Sequence, residues 1–229
     1  MFSQKTLDFL FENRLRNSRS WFLEHKDEYT EYVLRPLTEM AVALTPAVSS
    51  IDDLIVTIPR VDKTISRIYR DVRFSHDKSL YREEMWLSFK RDKNAYPRYP
   101  EFFFALWPGG FSYGCGYYRA SAETMETMRA LIVKRDPAFA RARTDYEAQQ
   151  VFVMEGEMYK RSRYPDQPEN IRNWLDRKNI CFTAQSADIS LLFSDALPQT
   201  VGERYKTLTS VYRFFTYIEE RKWKNSSGC

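Results

Sequence analysis

The spacing of apolar residues changes twice along this chain, from a helical period to an alternating one and back. The alternating middle limits the fold most. Phe102-Phe103-Phe104-Ala105-Leu106-Trp107 and Phe111 to Tyr118 flank Pro108-Gly109-Gly110, which reads as a hairpin with a Gly-rich turn. Upstream, Met85, Leu87 and Phe89 alternate with Trp86, Ser88 and Lys90. Ile68, Val72 and Phe74 fall between Arg67, Tyr69, Asp71 and Arg73. Consecutive strands with short connections imply an antiparallel meander. The spacing predicts strands at residues 66–74, 85–90, 101–107 and 111–118 in one sheet.

Helical patterns stand on either side. Leu7, Leu10, Phe11 and Leu15 share one helical face. Asn17-Ser18-Arg19-Ser20 supplies capping side chains for a second helix near Trp21, which Pro36 kinks or restarts. After the sheet, Ser121 and Asp136-Pro137 mark two helix starts. Short strands are expected at 151–154 and 180–183, with a helix opening at Pro168-Glu169-Asn170 between them. Tyr205, Leu208, Tyr212, Phe215 and Ile218 form a last helical stripe. The expected fold is α+β, a single domain over residues 1–224 with an antiparallel sheet flanked by N- and C-terminal helices. Residues 225–229 read as a frayed tail.

Composition narrows the function classes. In 229 residues, 35 Lys+Arg stand against 31 Asp+Glu, a net charge of +4. That surplus is small, and acids are interleaved with bases, as in Glu24-His25-Lys26-Asp27-Glu28, which argues against a dedicated nucleic-acid binder. The apolar runs fall far short of the ~20 residues a membrane helix needs. The N-terminus lacks the layout of a signal peptide. Cys115, Cys181 and Cys229 form no disulfide framework, as expected in a reducing cytosol, so a cytoplasmic location without a membrane partner is expected. Oligomeric state leaves no trace.

Motifs for familiar chemistry are missing. His25 and His76 have no second ligand at metal spacing, so no metal site is expected, although a carboxylate-only Mg²⁺ site would leave little trace. No Gly-x-Ser-x-Gly elbow and no Walker loop occurs, and no cofactor is implied. Ser75-His76-Asp77 holds triad residue types, but chain neighbours cannot line up as nucleophile, base and orienter. Cys115, between Gly114 and Gly116, reads as a packing thiol.

Residues 67–82, Arg67-Ile68-Tyr69-Arg70-Asp71-Val72-Arg73-Phe74-Ser75-His76-Asp77-Lys78-Ser79-Leu80-Tyr81-Arg82, carry seven charges. In a strand, Arg70 would share a face with Ile68, Val72 and Phe74, and a buried guanidinium needs a partner. Asp77 or a distant acid fits that role. Two readings follow. In one, Asp71 and Asp77 satisfy the arginines in a purely structural ion-pair network. In the other, Arg67, Arg70, Arg73, Lys78 and Arg82 gather a small anionic ligand. Ser112, Gly114 and Gly116 leave one face of their strand nearly bare, which marks a close approach by a ligand or by another backbone. Asp71, Asp77 and Tyr117 are then the catalytic candidates. Two alternatives use the same stretch. One is a nucleic-acid-associated protein using Lys78, Arg82, Lys90, Arg91, Tyr81 and Trp86. The other is a protein–protein module in which the arginine segment is structural.

The same residues carry a family likeness. Asn17…Trp21-Phe22…Lys26…Tyr29, residues 67–82, Gly114-x-Gly116-Tyr117-Tyr118, and Lys160-Arg161…Pro165 leading to Trp174-Leu175…Lys178 resemble a conserved bacterial and fungal family, domain of unknown function 2461. The likeness covers essentially the whole chain, and residues 67–82 are its most specific part. The chain departs from the pattern at Pro165-Asp166-Gln167-Pro168, where the family more often has glycine and histidine. The resemblance implies one domain and brings no activity with it.

Overall fold

A computed structural model describes residues 1–226, with side chains through Lys222. The chain opens with α1 (Gln4–Arg16), α2 (Arg19–Glu24), α3 (Lys26–Tyr29), a π-helical turn (Thr30–Leu34) and α4 (Arg35–Ile51). Four strands follow: β1 (Ile55–Val56), β2 (Met85–Arg91), β3 (Glu101–Trp107) and β4 (Gly110–Gly116). Next come α5 (Ala122–Val133), α6 (Pro137–Glu147), β5 (Val153–Glu155), α7 (Glu169–Leu175) and β6 (Cys181–Ser186). The chain ends with α8 (Ile189–Leu192), α9 (Leu197–Thr207) and α10 (Thr209–Ser226). The protein is α+β, with an antiparallel sheet in the order β1-β2-β3-β4-β6-β5 and helices at both ends of the chain. Among the described residues, no helix is long and apolar enough to cross a membrane. Of the tail at 225–229, the first two residues continue α10, and 227–229 lie outside the described residues.

Local chemistry explains most boundaries. Asn17 ends α1 in the left-handed region at φ 47°, and Ser18 caps α2. Pro36, with no N–H and a ring that crowds the preceding turn, stands at the second position of α4, just after the π-helical turn. Ser121 and Asp136 accept the N–H groups of Thr124 and Ala138 and so start α5 and α6. The β3–β4 hairpin turns on Pro108 and Gly109, and Gly110 then takes φ 154°, where a Cβ would lie 2.4 Å from the Ser186 carbonyl oxygen.

The chain gathers into two compact units. The first holds residues 1–89, 103–113 and 185–203. Its core includes Leu10, Phe22, Leu37, Leu44, Leu87, Phe104, Phe111 and Val201, all buried, and Phe2 stacks on Phe104 at 5.8 Å. The second holds residues 90–102, 114–184 and the chain from 204 onward. There α10 lies against α5 and α6, and Phe102, Phe139, Trp174, Phe182, Phe214 and Phe215 pack as an aromatic core.

One expected strand is absent. Residues 64–66 pair beside β2, with Ser66 N–H donating to the Trp86 carbonyl at 2.9 Å and Ser88 N–H to that of Thr64 at 2.8 Å. Beyond Ser66 the chain leaves the sheet. Arg70 N–H donates to the Leu80 carbonyl and Arg82 N–H to that of Ile68, both at 2.9 Å, which closes 71–79 as an irregular loop. The alternation there is a match of charges to local partners instead of to a sheet face. Phe74, assigned by the pattern to an apolar face, is 95% exposed.

Candidate functional site

The arginine segment lies in the first unit, and its charges are met from within. Asp62 accepts from Arg67, Asp71 accepts from Arg73 at 2.7 and 2.9 Å, and Asp77 accepts from Arg70. Arg14 of α1 adds a second guanidinium to Asp77 at 2.9 Å. Ser79 donates to the same carboxylate from its hydroxyl and, at 2.9 Å, from its N–H. These donors, Ser79 foremost and then Arg70, hold the Asp77 carboxyl well below its usual range. Asp71 is lowered to about 2, chiefly by its hydrogen bond from Arg73. Lys78 Nζ donates to the Val72 carbonyl at 2.9 Å, and the Arg82 guanidinium sits 4.6 Å over the Trp86 ring. Arg70 is paired to Asp77 with its side chain 24% exposed, and it reaches that partner from a loop and not from a strand.

The loop is moored to the helices of its own unit. Leu80 N–H donates to Asn17 Oδ1 at 2.7 Å. Tyr69 and Tyr81 close on Phe22, with centroids 5.5 and 5.0 Å from it. Asn17 and Phe22 of the early motif therefore touch the 67–82 motif directly.

Gly114, Gly116 and Tyr117 belong to the second unit. All of β4 is buried. A Cβ on Gly116 would stand 2.5 Å from Cys181 Cα and 2.7 Å from the Ile180 carbonyl oxygen, so the bare position is filled by the neighbouring strand's backbone. The Tyr117 hydroxyl donates to the Phe215 carbonyl at 3.1 Å. Burial, then Glu219, pushes that phenol well up. Buried, committed and hard to ionise, Tyr117 serves as a wall.

What it walls is a cleft of about 340 Å³ within the second unit. Lys90 and Glu101 form one side and pair at 3.0 Å. Lys93, Tyr96, Arg98 and Tyr99 arrive on the β2–β3 connection, and Tyr118, Arg119 and Ser121 from the end of β4 to the start of α5. Arg91 braces the connection, its guanidinium about 5 Å over both Tyr96 and Tyr99. Among the described residues, Glu101 is the one carboxylate lining the cleft. Among the described residues, no hydrogen bond or ion pair engages the side chains of Lys93, Arg98 or Arg119. Tyr118 is 88% exposed. Behind Ser121, Lys222 Nζ donates to Glu219 at 2.7 Å and to Thr124 at 2.9 Å, a fully engaged buried network.

Sequence reasoning passed over Lys93, Arg98 and Arg119. The available signal was topological: in a β2–β3–β4 meander, the first connection and the end of β4 lie at the same end of the sheet.

No curated protein matches the chain. A family model described as conserved hypothetical protein (DUF2461) matches residues 5–214. That span takes in the α1–α2 mooring, the 67–82 loop and the cleft alike, and the chain belongs to this family.

Proposed function

We propose that the protein binds a small anionic ligand, bearing phosphate or carboxylate, in the cleft of Lys93, Arg98 and Arg119. The observation that carries this reading is the contrast between two sets of cations. Arg67, Arg70 and Arg73 each face an aspartate, so an anion there would have to displace Asp62, Asp71 or Asp77. Lys93, Arg98 and Arg119 line a concave site whose one carboxylate among the described residues, Glu101, is already taken by Lys90. Forked guanidinium donors suit phosphate and carboxylate oxygens, and the tyrosine walls lower the dielectric around them. The depressed carboxyls of Asp71 and Asp77 favour anchoring over proton transfer, so residues 67–82 act in this reading as a structural clamp.

The test is thermal shift with inorganic phosphate, pyrophosphate and a panel of carboxylates, repeated on Arg98→Ala and Arg119→Ala. A binding anion raises the melting temperature by mass action, and each variant loses that rise while still folding. An unchanged melting temperature across the panel, or a rise that survives both substitutions, overturns the reading.

A further inference from the structure

A second cavity lies in the same unit, away from every residue named above as a site. It holds about 430 Å³ between α5, α6 and the start of α7. Its apolar walls include Ile132, Val133, Phe139, Pro168 and Ile171, and its polar groups are Arg135, Arg143 and Gln167. No acid lines it.

Those polar groups are poorly served by the protein itself. Arg143 Nε is sealed from solvent and, among the described residues, has no hydrogen-bond partner, while its side chain as a whole is 32% exposed. The nearest carboxylate oxygen, on Glu147, stands 3.8 Å away, outside hydrogen-bond reach. Asn170 Nδ2 donates to the other Glu147 oxygen at 3.0 Å, so this acid is shared between two partners. Among the described residues, no hydrogen bond or ion pair meets the Arg135 guanidinium or the Gln167 side-chain amide. Arg135 takes φ 56°, a left-handed conformation that follows the end of α5 and precedes the Asp136 cap. The guanidinium ends of Arg143 and Arg135 are open to a ligand, and apolar walls with a few convergent polar groups are the usual make-up of a small-molecule site.

We propose that this cavity binds a small carboxylate with an apolar body, its carboxylate held by Arg143 and Arg135 and its body resting on Phe139, Ile132 and Ile171. Two guanidiniums suit the planar, two-oxygen carboxylate. The apolar wall residues leave most of the ligand's remaining surface to hydrophobic contact.

Phenylacetate and octanoate are the probes, with 2-phenylethanol as the uncharged counterpart, followed through the methyl NMR signals of Ile132, Val133 and Ile171. Saturable shifts with both acids are expected, with 2-phenylethanol at least about tenfold weaker, the equivalent of one charge-assisted hydrogen bond. Arg143→Leu and the exposed Arg135→Ala should each weaken phenylacetate by about the same factor. Absent shifts, equal binding of 2-phenylethanol, or undiminished affinity in Arg135→Ala overturn the proposal. This last variant removes an exposed side chain and decides the matter even where Arg143→Leu folds poorly.

Discussion

The side-chain oxygen of Asn17 accepts the backbone N–H of Leu80 at 2.7 Å, joining positions 63 residues apart. Asn17 does two jobs at once. Its backbone ends α1 in the left-handed region, and its amide holds the far limb of the 67–82 loop. Asparagine is the side chain that tolerates this backbone and also reaches an N–H across it.

Separating those jobs gives the first prediction. Asn17→Gly keeps the backbone and loses the hydrogen bond, for a cost of about 0.5–1.5 kcal/mol. Asn17→Ala loses both and should cost about 1–2 kcal/mol more, the penalty of a left-handed non-glycine residue. Urea unfolding measures each, and hydrogen exchange at Leu80 should quicken in both. Equal stability of the two variants would remove the backbone from the argument.

Asp77 sets the second expectation, which concerns pH. Its folded-state carboxyl lies below the ordinary value of 3.8, first because of Ser79 and then Arg70. A depressed carboxyl contributes stability that is complete above the ordinary value and is lost as the pH falls through the folded one. The same sign holds for Asp71, lowered to about 2. The loop should therefore stay moored at pH 5 and loosen only in strong acid, below about pH 4. Carboxyl NMR titration should place the Asp77 midpoint below 3.8, and Asp77→Asn should flatten the acid limb of the stability curve. A midpoint at or above the ordinary value contradicts the mooring.

The sheet and the caps could be read from the sequence because each depends on near neighbours. Alternation over 85–90 and 101–107 and the Pro108-Gly109-Gly110 turn carried the β2–β3–β4 meander, and Ser18, Ser121 and Asp136 announced helix starts by their own chemistry. A carboxylate partner for Arg70, Asp77 or a distant acid, was expected, and Asp77 is the partner. The path of residues 67–74 was not legible, because alternation shows a face only when another strand lies alongside, and here the partners are Asn17, Arg14 and Phe22. The cleft cations were hidden for a similar reason. Lys93 and Arg98 sit on the β2–β3 connection and Arg119 after β4, and only the strand topology brings the two segments to one cavity.

Arg129 was hidden differently, since a helix arginine reads as a solvent residue. It is 2% exposed, donating from Nε to the Leu175 carbonyl at 2.8 Å and from Nη2 to that of Arg177 at 2.6 Å. Glu126 takes a third donor at 2.8 Å. One guanidinium thus satisfies two carbonyls at and just beyond the end of α7, where helices leave such groups unpaired. Arg129→Met keeps the apolar bulk and orphans both carbonyls, at about 1–3 kcal/mol each. Glu126→Gln, at an exposed partner, should change stability by no more than about 1 kcal/mol. Denaturant melts of the two variants should separate clearly, and coincident midpoints would show that the carbonyls find other donors.

Gly116 distinguishes a ligand groove from a sheet contact along the bare face of β4. Its added methyl would meet the backbone of Cys181 and Ile180 at 2.5 and 2.7 Å, and a backbone cannot swing aside as a side-chain tip can. Gly116→Ala must therefore push β4 and β6 apart and weaken the 3.1 Å bond from Tyr117 N–H to the Ile180 carbonyl. Overpacking of this kind costs about 1–3 kcal/mol. Gly109 is the internal comparison, because its added methyl would meet only the Trp107 ring, 3.2 Å from Nε1, and that ring can shift. Gly109→Ala should fall within about 0.5 kcal/mol of wild type, as surface substitutions do. Chemical denaturation of both variants decides between the two roles. A large loss at Gly116 assigns the glycine to strand closure. A negligible loss there would mean that the strands have room to spare and would restore a ligand as the reason for the bare face.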